Sequence, residues 1–242
     1  MRNPRERLIT SIILLIFIFT LFSIIVYSTS ELTISAKSAT LYEPVTKSFL
    51  YEKNADVRLP MASTTKIMTA LVAIENADLQ TVVTAGENAY GTEGSSLYLK
   101  IGESYTLEEM LYGLMLRSAN DAAVAIAETV CGSVEAFADL MNAKAEQLGL
   151  SDTHFTNSHG LDDPHHYTTA RELAVIASEA LKNETFKRIV STYKISIESS
   201  LGETRLLVNH NKLLKLYDGA IGVKTGFTKK SGRCLVGAAE KN

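Results

Sequence analysis

The sequence predicts an α/β fold of the α+β kind: an antiparallel sheet flanked by helices, with a helical block inserted between its first and last strands. Three observations predict it. Residues 38–53 read as a hairpin, residues 106–181 carry repeated helix signals, and residues 194–239 return to strand-like runs. Strands gathered at both ends of a helical run, instead of alternating with helices, point away from a parallel sheet. A cleft is expected between the sheet and the helical block, where ligand sites tend to form.

In the hairpin, Ala39-Thr40-Leu41-Tyr42 and Ser48-Phe49-Leu50-Tyr51 flank the turn Glu43-Pro44-Val45-Thr46-Lys47. After Arg58-Leu59-Pro60 the spacing of Ile67, Leu71 and Ile74, broadened by Met68 and Val72, predicts a helix from Ser63 to Asn76. Residues 81–84 suit a short strand. Thr106-Leu107-Glu108-Glu109 has the spacing of a capping box and opens a helix carrying Met110, Leu111, Leu114 and Met115. A second helix is expected over 121–130, ended by Gly132, and a third between Ser133 and Gly149. Residues 150–167 read as a polar loop. Thr169-Ala170-Arg171-Glu172 is read as another capping box, starting a helix to about Leu181. Strands are expected at 194–198, 204–208, 221–225 and 233–239. Turns are expected at Leu201-Gly202 and Lys230-Ser231-Gly232.

A chain of 242 residues can bury a full core as one domain or two intimate subdomains. Its net charge of −3 excludes the basic balance that nucleic-acid binding demands, and no nucleic-acid partner is expected. Cys131 and Cys234 lack metal-type spacing. His159, His165 and His166 share a loop without a matching carboxylate or Cys pattern, so neither metal nor cofactor is expected. At the other end, Arg2, Arg5 and Arg7 precede an uncharged run from Leu8 to Tyr27. A basic flank before an apolar stretch is an export signal. The run is also long enough to span a bilayer, so residues 1–30 read either as a cleaved signal or as a retained anchor in the cytoplasmic membrane. In both cases residues 31–242 are expected to lie outside that membrane as one domain, with the helical insertion at about 85–165.

Three short strings carry the chemistry. In Ser63-Thr64-Thr65-Lys66 a serine and a lysine stand one helical turn apart. A serine hydroxyl needs a base to become a nucleophile, and a lysine serves when burial or a nearby cation lowers its pKa. A Ser63 at the helix N-terminus would also find free backbone N–H groups to stabilise an oxyanion. Ser118-Ala119-Asn120 falls where two helices meet; there it either presents two polar side chains to a cleft or merely caps the second helix. Lys224-Thr225-Gly226 ends a strand, where a lysine and a hydroxyl can hold a carboxylate and a glycine admits a close substrate backbone.

Together and in this order the strings form the S-x-x-K, S-x-N and K-T-G set of penicillin-binding enzymes. From about Ala36 to its C-terminus the chain resembles the serine β-lactamase-like superfamily, and most closely the low-molecular-mass D-alanyl-D-alanine carboxypeptidases of the peptidase S11 family. Residues 60–69, 118–122, 157–161 and 222–228 carry the resemblance most strongly, together with Ala36-Lys37-Ser38-Ala39. It implies a β-lactamase/transpeptidase-like fold. It further implies a substrate, the peptidoglycan stem peptide ending in D-Ala-D-Ala, and acylation by β-lactam antibiotics.

The resemblance also assigns roles. Ser63 is the nucleophile, Lys66 the general base, Ser118 a proton relay and Asn120 a holder of the substrate amide. Lys224, Thr225 and Gly226 bind the terminal carboxylate, and the backbone N–H groups of Ser63 and Phe227 form the oxyanion hole. His210 is a further candidate for a substrate contact. A class A-like β-lactamase is the alternative, but its extra glutamate motif is missing between Ser118 and Lys224, and Glu172 reads as a capping partner. A truncated, non-catalytic module with the same fold is the other alternative. In the family a further strand and a long helix follow the strand at 233–239, so the catalytic domain is expected to be C-terminally incomplete.

Overall fold

The computed structural model describes residues 3–26 and 32–241. Contacts divide the chain into two units, residues 1–36 and 37–242. In the first, α1 (Pro4–Val26) is a 23-residue helix. Among the described residues no helix is long and apolar enough to cross a membrane. Residues 27–30, the end of the segment expected to be a cleaved signal or an anchor, lie outside the described residues.

The second unit starts with β1 (Ala39–Glu43) and β2 (Ser48–Lys53), paired antiparallel around the expected turn. A 3-10 turn (Ala62–Thr65) runs directly into α2 (Lys66–Asn76). Next come β3 (Val82–Thr84) and β4 (Ser104–Thr106), a short antiparallel pair. The helical block follows: α3 (Leu107–Leu116), α4 (Asn120–Cys131) and α5 (Val134–Gln147). After the loop, α6 (Ala170–Leu181) and α7 (Glu184–Ser191) lead to the antiparallel pair β5 (Lys194–Glu198) and β6 (Thr204–Val208). A one-turn α8 (Leu213–Leu216) precedes β7 (Ala220–Thr228) and β8 (Gly232–Ala239), also antiparallel. Among the described residues the strands thus form four two-stranded antiparallel ladders.

Helix α2 is the axis of the core. Residues Lys66 through Ala73 are all buried, because α3, α4, α5, α6 and α7 pack around them. Ile67, Met68 and Leu71 meet Met110, Leu111 and Leu114 of α3, Ile126 of α4 and Phe137 and Met141 of α5 in one apolar cluster. Each large side chain taken from water there contributes about 1.5–3 kcal/mol. Helix α6 touches both β1 and β8, and β7 packs on α7 and on the 3-10 turn. Together these contacts hold the third motif against the first.

Three local expectations need correcting. Ser63 is not the first residue of the α-helix; it sits in the 3-10 turn before it, because the Thr64 and Thr65 hydroxyls bond back to the Met61 and Ala62 carbonyls and tighten the chain. Glu172 is not a capping-box partner. Thr169 does accept from Glu172 N–H, but the Glu172 carboxylate turns away to accept from Asp152 N–H and the Thr153 hydroxyl (2.6 Å), tying the 150–168 loop to α6. Helix α7 was not expected, although Asn183 caps it by accepting from Thr185 and Phe186 N–H and it buries Phe186, Ile189 and Val190.

Candidate active site

The 3-10 turn sets Ser63 and Lys66 side by side, with Lys66 Nζ 3.1 Å from Ser63 Oγ. Lys66 is fully buried. Its amine also donates to Asn120 Oδ1 (2.6 Å) and to the carbonyl of His159 (2.5 Å). Burial pushes its pKa well below the usual lysine value, and the nearby Lys224 ammonium pushes it further, against the pull of Asp121. A neutral amine has two hydrogens and one lone pair. With the hydrogens drawn to two carbonyl-type oxygens, the lone pair is left for the Ser63 hydroxyl. That is the arrangement a general base requires.

Asn120 begins α4, but Ala119 occupies the capping position and Asn120 does not cap. Its side-chain amide donates to Glu93 O (2.6 Å) while its oxygen accepts a hydrogen bond from Lys66 Nζ, and its backbone N–H donates to Ser95 O (2.7 Å). Ser118, two residues earlier, is buried at φ +61, a left-handed conformation that costs a non-glycine residue about 1 kcal/mol and that marks functional turns. The capping reading of this motif therefore fails.

Asp121 explains why the turn holds. Its buried carboxylate accepts from Ser96 Oγ (2.5 Å), Leu97 N (3.0 Å), Leu99 N (3.1 Å) and Ala122 N (2.9 Å), fastening the 95–99 loop over Asn120. Replacing it leaves buried N–H groups unpaired. Asp121→Ala is expected to cost about 3 kcal/mol of stability, read as a fall in the denaturant midpoint at constant m-value.

Lys224 lies on β7, fully buried, and donates to the carbonyl of Thr225 (2.9 Å). Burial brings its pKa down to about 7. Gly226 is where β7 meets the Ser63 turn: a Cβ there would stand 3.0 Å from Ser63 N and 3.2 Å from Thr64 N, so any larger residue would crowd this approach. Phe227 follows with its ring exposed, and Thr228 donates to Asp162 (2.8 Å), tying β7 to the 150–168 loop.

Ser63, Lys66, Asn120 and Gly226 are therefore in direct contact, and Lys224 is near enough to shift the Lys66 pKa. Ser118, Thr225 and Phe227 adjoin them in sequence. His210 lies within electrostatic reach of Lys224 and Arg117, on a cavity of about 600 Å³ lined also by Tyr193, Lys212 and Lys215. The site draws on four stretches of chain: 63–66, 118–121, 157–160 and 224–226. The third contact of Lys66, the His159 carbonyl, lies in the 157–161 stretch that carries the resemblance, but its role could not be read from residue type, because any residue supplies a carbonyl. His166, considered above only as a metal ligand, bonds instead to Thr65 and Thr156.

Residues 25–242 match the family model described as D-alanyl-D-alanine carboxypeptidase, peptidase S11. The D-alanyl-D-alanine carboxypeptidase DacF of Bacillus subtilis is 43% identical over 218 residues, covering 88% of this chain and 56% of its own. The chain thus spans little more than half that relative's length. A D-alanyl-D-alanine carboxypeptidase of Streptomyces sp. K15 is 39% identical, with 86% of this chain and 78% of its own covered. Among solved structures, the Streptomyces K15 DD-transpeptidase superposes with a TM-score of 0.83 at 36% identity over 88% of each chain. The carboxypeptidase DacD of Francisella tularensis gives 0.82 at 30% identity over 88% of this chain and 64% of its own. These are penicillin-binding folds of mixed helix and strand, and this chain shares that fold. On this evidence the chain belongs to the peptidase S11 family of D-alanyl-D-alanine carboxypeptidases.

Proposed function

We propose that the protein is a serine-type D-Ala-D-Ala carboxypeptidase that trims the peptidoglycan stem peptide through an acyl-enzyme on Ser63. The observation that carries this reading is the Ser63–Lys66 pair, 3.1 Å apart, with the lysine buried and clamped by two oxygens. Ser63 Oγ attacks the carbonyl between the two terminal D-alanines, and its proton passes to Lys66 Nζ. The N–H groups of Ser63 and Phe227 stabilise the oxyanion. Ser118 relays the proton to the departing amine, and D-alanine leaves. Water then attacks the acyl-enzyme, with Lys66 again as base. Asn120 holds the substrate amide, and Lys224, Thr225 and Gly226 receive the terminal carboxylate. A carboxylate beside Lys224 favours its ammonium form, so substrate binding restores the charge that burial removes.

β-Lactams acylate the same serine by presenting a carboxylate and a reactive amide in the same relation. A β-lactamase of the class A kind needs a free carboxylate to deacylate. Glu172, which like Glu184 lacks that motif's context, is engaged with Asp152 and Thr153, which supports the carboxypeptidase reading. The arginines before the apolar run from Leu8 to Tyr27 support export, so that the enzyme meets its wall substrate outside the cytoplasmic membrane as a secreted or membrane-held protein.

The test is a pentapeptide ending in D-Ala-D-Ala incubated with the purified protein. Free D-alanine is expected to accumulate, while benzylpenicillin remains bound to the protein and is not turned over. Turnover of the antibiotic without release of D-alanine would replace the peptidase by a lactamase. Exchange of the terminal D-alanine for an added amine, with no net hydrolysis, would make it a transpeptidase.

A further inference from the structure

The residue before the nucleophile is held in an unfavourable conformation. Ala62 stands at φ +47, where a Cβ crowds the backbone, so the surrounding structure must keep it there. Its carbonyl accepts from the Thr65 hydroxyl (2.8 Å), and Gly160 packs so closely that a Cβ on it would fall 2.0 Å from Ala62 O.

Donor logic then fixes every proton along the line. A carbonyl only accepts, so the Thr65 hydroxyl gives its hydrogen to Ala62 O. Thr65 Oγ1 can therefore only accept from His166, whose Nε2 lies 2.7 Å away and must carry hydrogen. His166 Nδ1 is then bare, and it accepts from Thr156 N–H at 3.0 Å. Both side chains are buried, and the imidazole packs edge-on against Phe155. Burial, the largest influence, brings His166 down to about 4, with Asp163 and Asp162 opposing and His154 and Lys66 assisting. The neutral tautomer with hydrogen on Nε2 thus persists at physiological pH.

Ala62 C=O and Ser63 N–H belong to one planar peptide unit and point in opposite directions across it. Drawing the carbonyl toward Thr65 turns the N–H the other way, onto the side where Gly226 passes. We propose that Thr65 and His166 are positioning residues that aim the Ser63 N–H at the substrate oxygen, acting through the Ala62 carbonyl. The inference rests on Ser63 being the nucleophile, but assigns a new function to the second threonine of the first motif and to a histidine more than a hundred residues away in sequence.

The substitutions that test it conserve shape. Thr65→Val keeps the volume and deletes the hydroxyl; Thr65→Ser keeps the hydroxyl. Acylation by fluorescent penicillin and hydrolysis of pentapeptide are measured beside thermal stability. Thr65→Val is expected to lower the acylation rate and kcat by about 10- to 100-fold with KM nearly unchanged, since the oxyanion forms only in the transition state. Thr65→Ser should restore most of that loss. His166→Phe should match Thr65→Val, and the double variant should be no worse than either single one, as expected of residues acting in one line.

Wild-type acylation in Thr65→Val, a loss confined to KM, or fully additive losses would each overturn the inference. Labelling of Ser63→Ala at the wild-type rate would instead sink the nucleophile reading beneath it.

Discussion

Ser63→Ala is expected to abolish covalent labelling by fluorescent penicillin while leaving the fold intact. The substitution removes one oxygen from a residue in the 3-10 turn whose hydroxyl has, among the described residues, a single hydrogen-bond partner, Lys66 Nζ at 3.1 Å. The two closer bonds of Lys66, to Asn120 Oδ1 and His159 O, remain, so the buried amine is not orphaned. The thermal midpoint should therefore stay near wild type, and the loss of label is a chemical result and not an unfolding one. No other residue of the site offers a hydroxyl with a lysine lone pair directed at it. Persistent labelling of Ser63→Ala, mapped by mass spectrometry to another side chain, would refute the assignment.

Lys66→Met should leave the nucleophile present and nearly inert. Methionine is an unbranched side chain of similar length without an amine, so in this buried position the serine should keep its place and lose its proposed base. General-base assistance contributes about 10²- to 10⁴-fold, and the acylation rate is expected to fall by that factor. The pH profile separates this from a packing defect. Lysine is a base only when neutral, and its folded pKa is depressed by burial and by Lys224. Wild-type acylation should therefore be full above that depressed value and should decline as pH falls through it. In Lys66→Met that acid limb should vanish, leaving a slow and flat rate. A variant that retained the limb would show that a different group supplies the base.

Much of the fold was legible because its signals are local. The hairpin of β1 and β2, the capping box at Thr106–Glu109 and the terminal strands each carry their own pattern, and the structure places them within a few residues of expectation. Helix α7 had equally plain signals, an Asn183 cap and apolar residues at Phe186, Ile189 and Val190, but it is only two turns long and sits against another helix. Glu172 shows the opposite failure: a correct local motif overruled by tertiary contacts, since two loop donors compete for its carboxylate.

At the site, Ser63, Lys66, Asn120 and Gly226 could be read as a set because their strings co-occur. What could not be read is the scaffolding, because it works through backbone groups and distant partners. The His159 carbonyl on Lys66, the Asp121 carboxylate under the 95–99 loop and the His166–Thr65 line have no spacing rule that would reveal them.

The four separate origins of the site have a consequence for how the molecule comes into being. The strand bearing Lys224 and Gly226 is synthesised about 160 residues after Ser63. Until it docks, Ser63 lacks the close approach of Gly226, and Lys66 lacks the neighbouring Lys224 that helps depress its pKa. On the proposed mechanism a growing chain is therefore expected to be chemically silent, and contacts of such long sequence separation form late and slowly. If penicillin is captured as proposed, its label counts folded molecules: in a refolding experiment it should appear only with the last, rate-limiting phase, making the antibiotic a clock for completion of the fold.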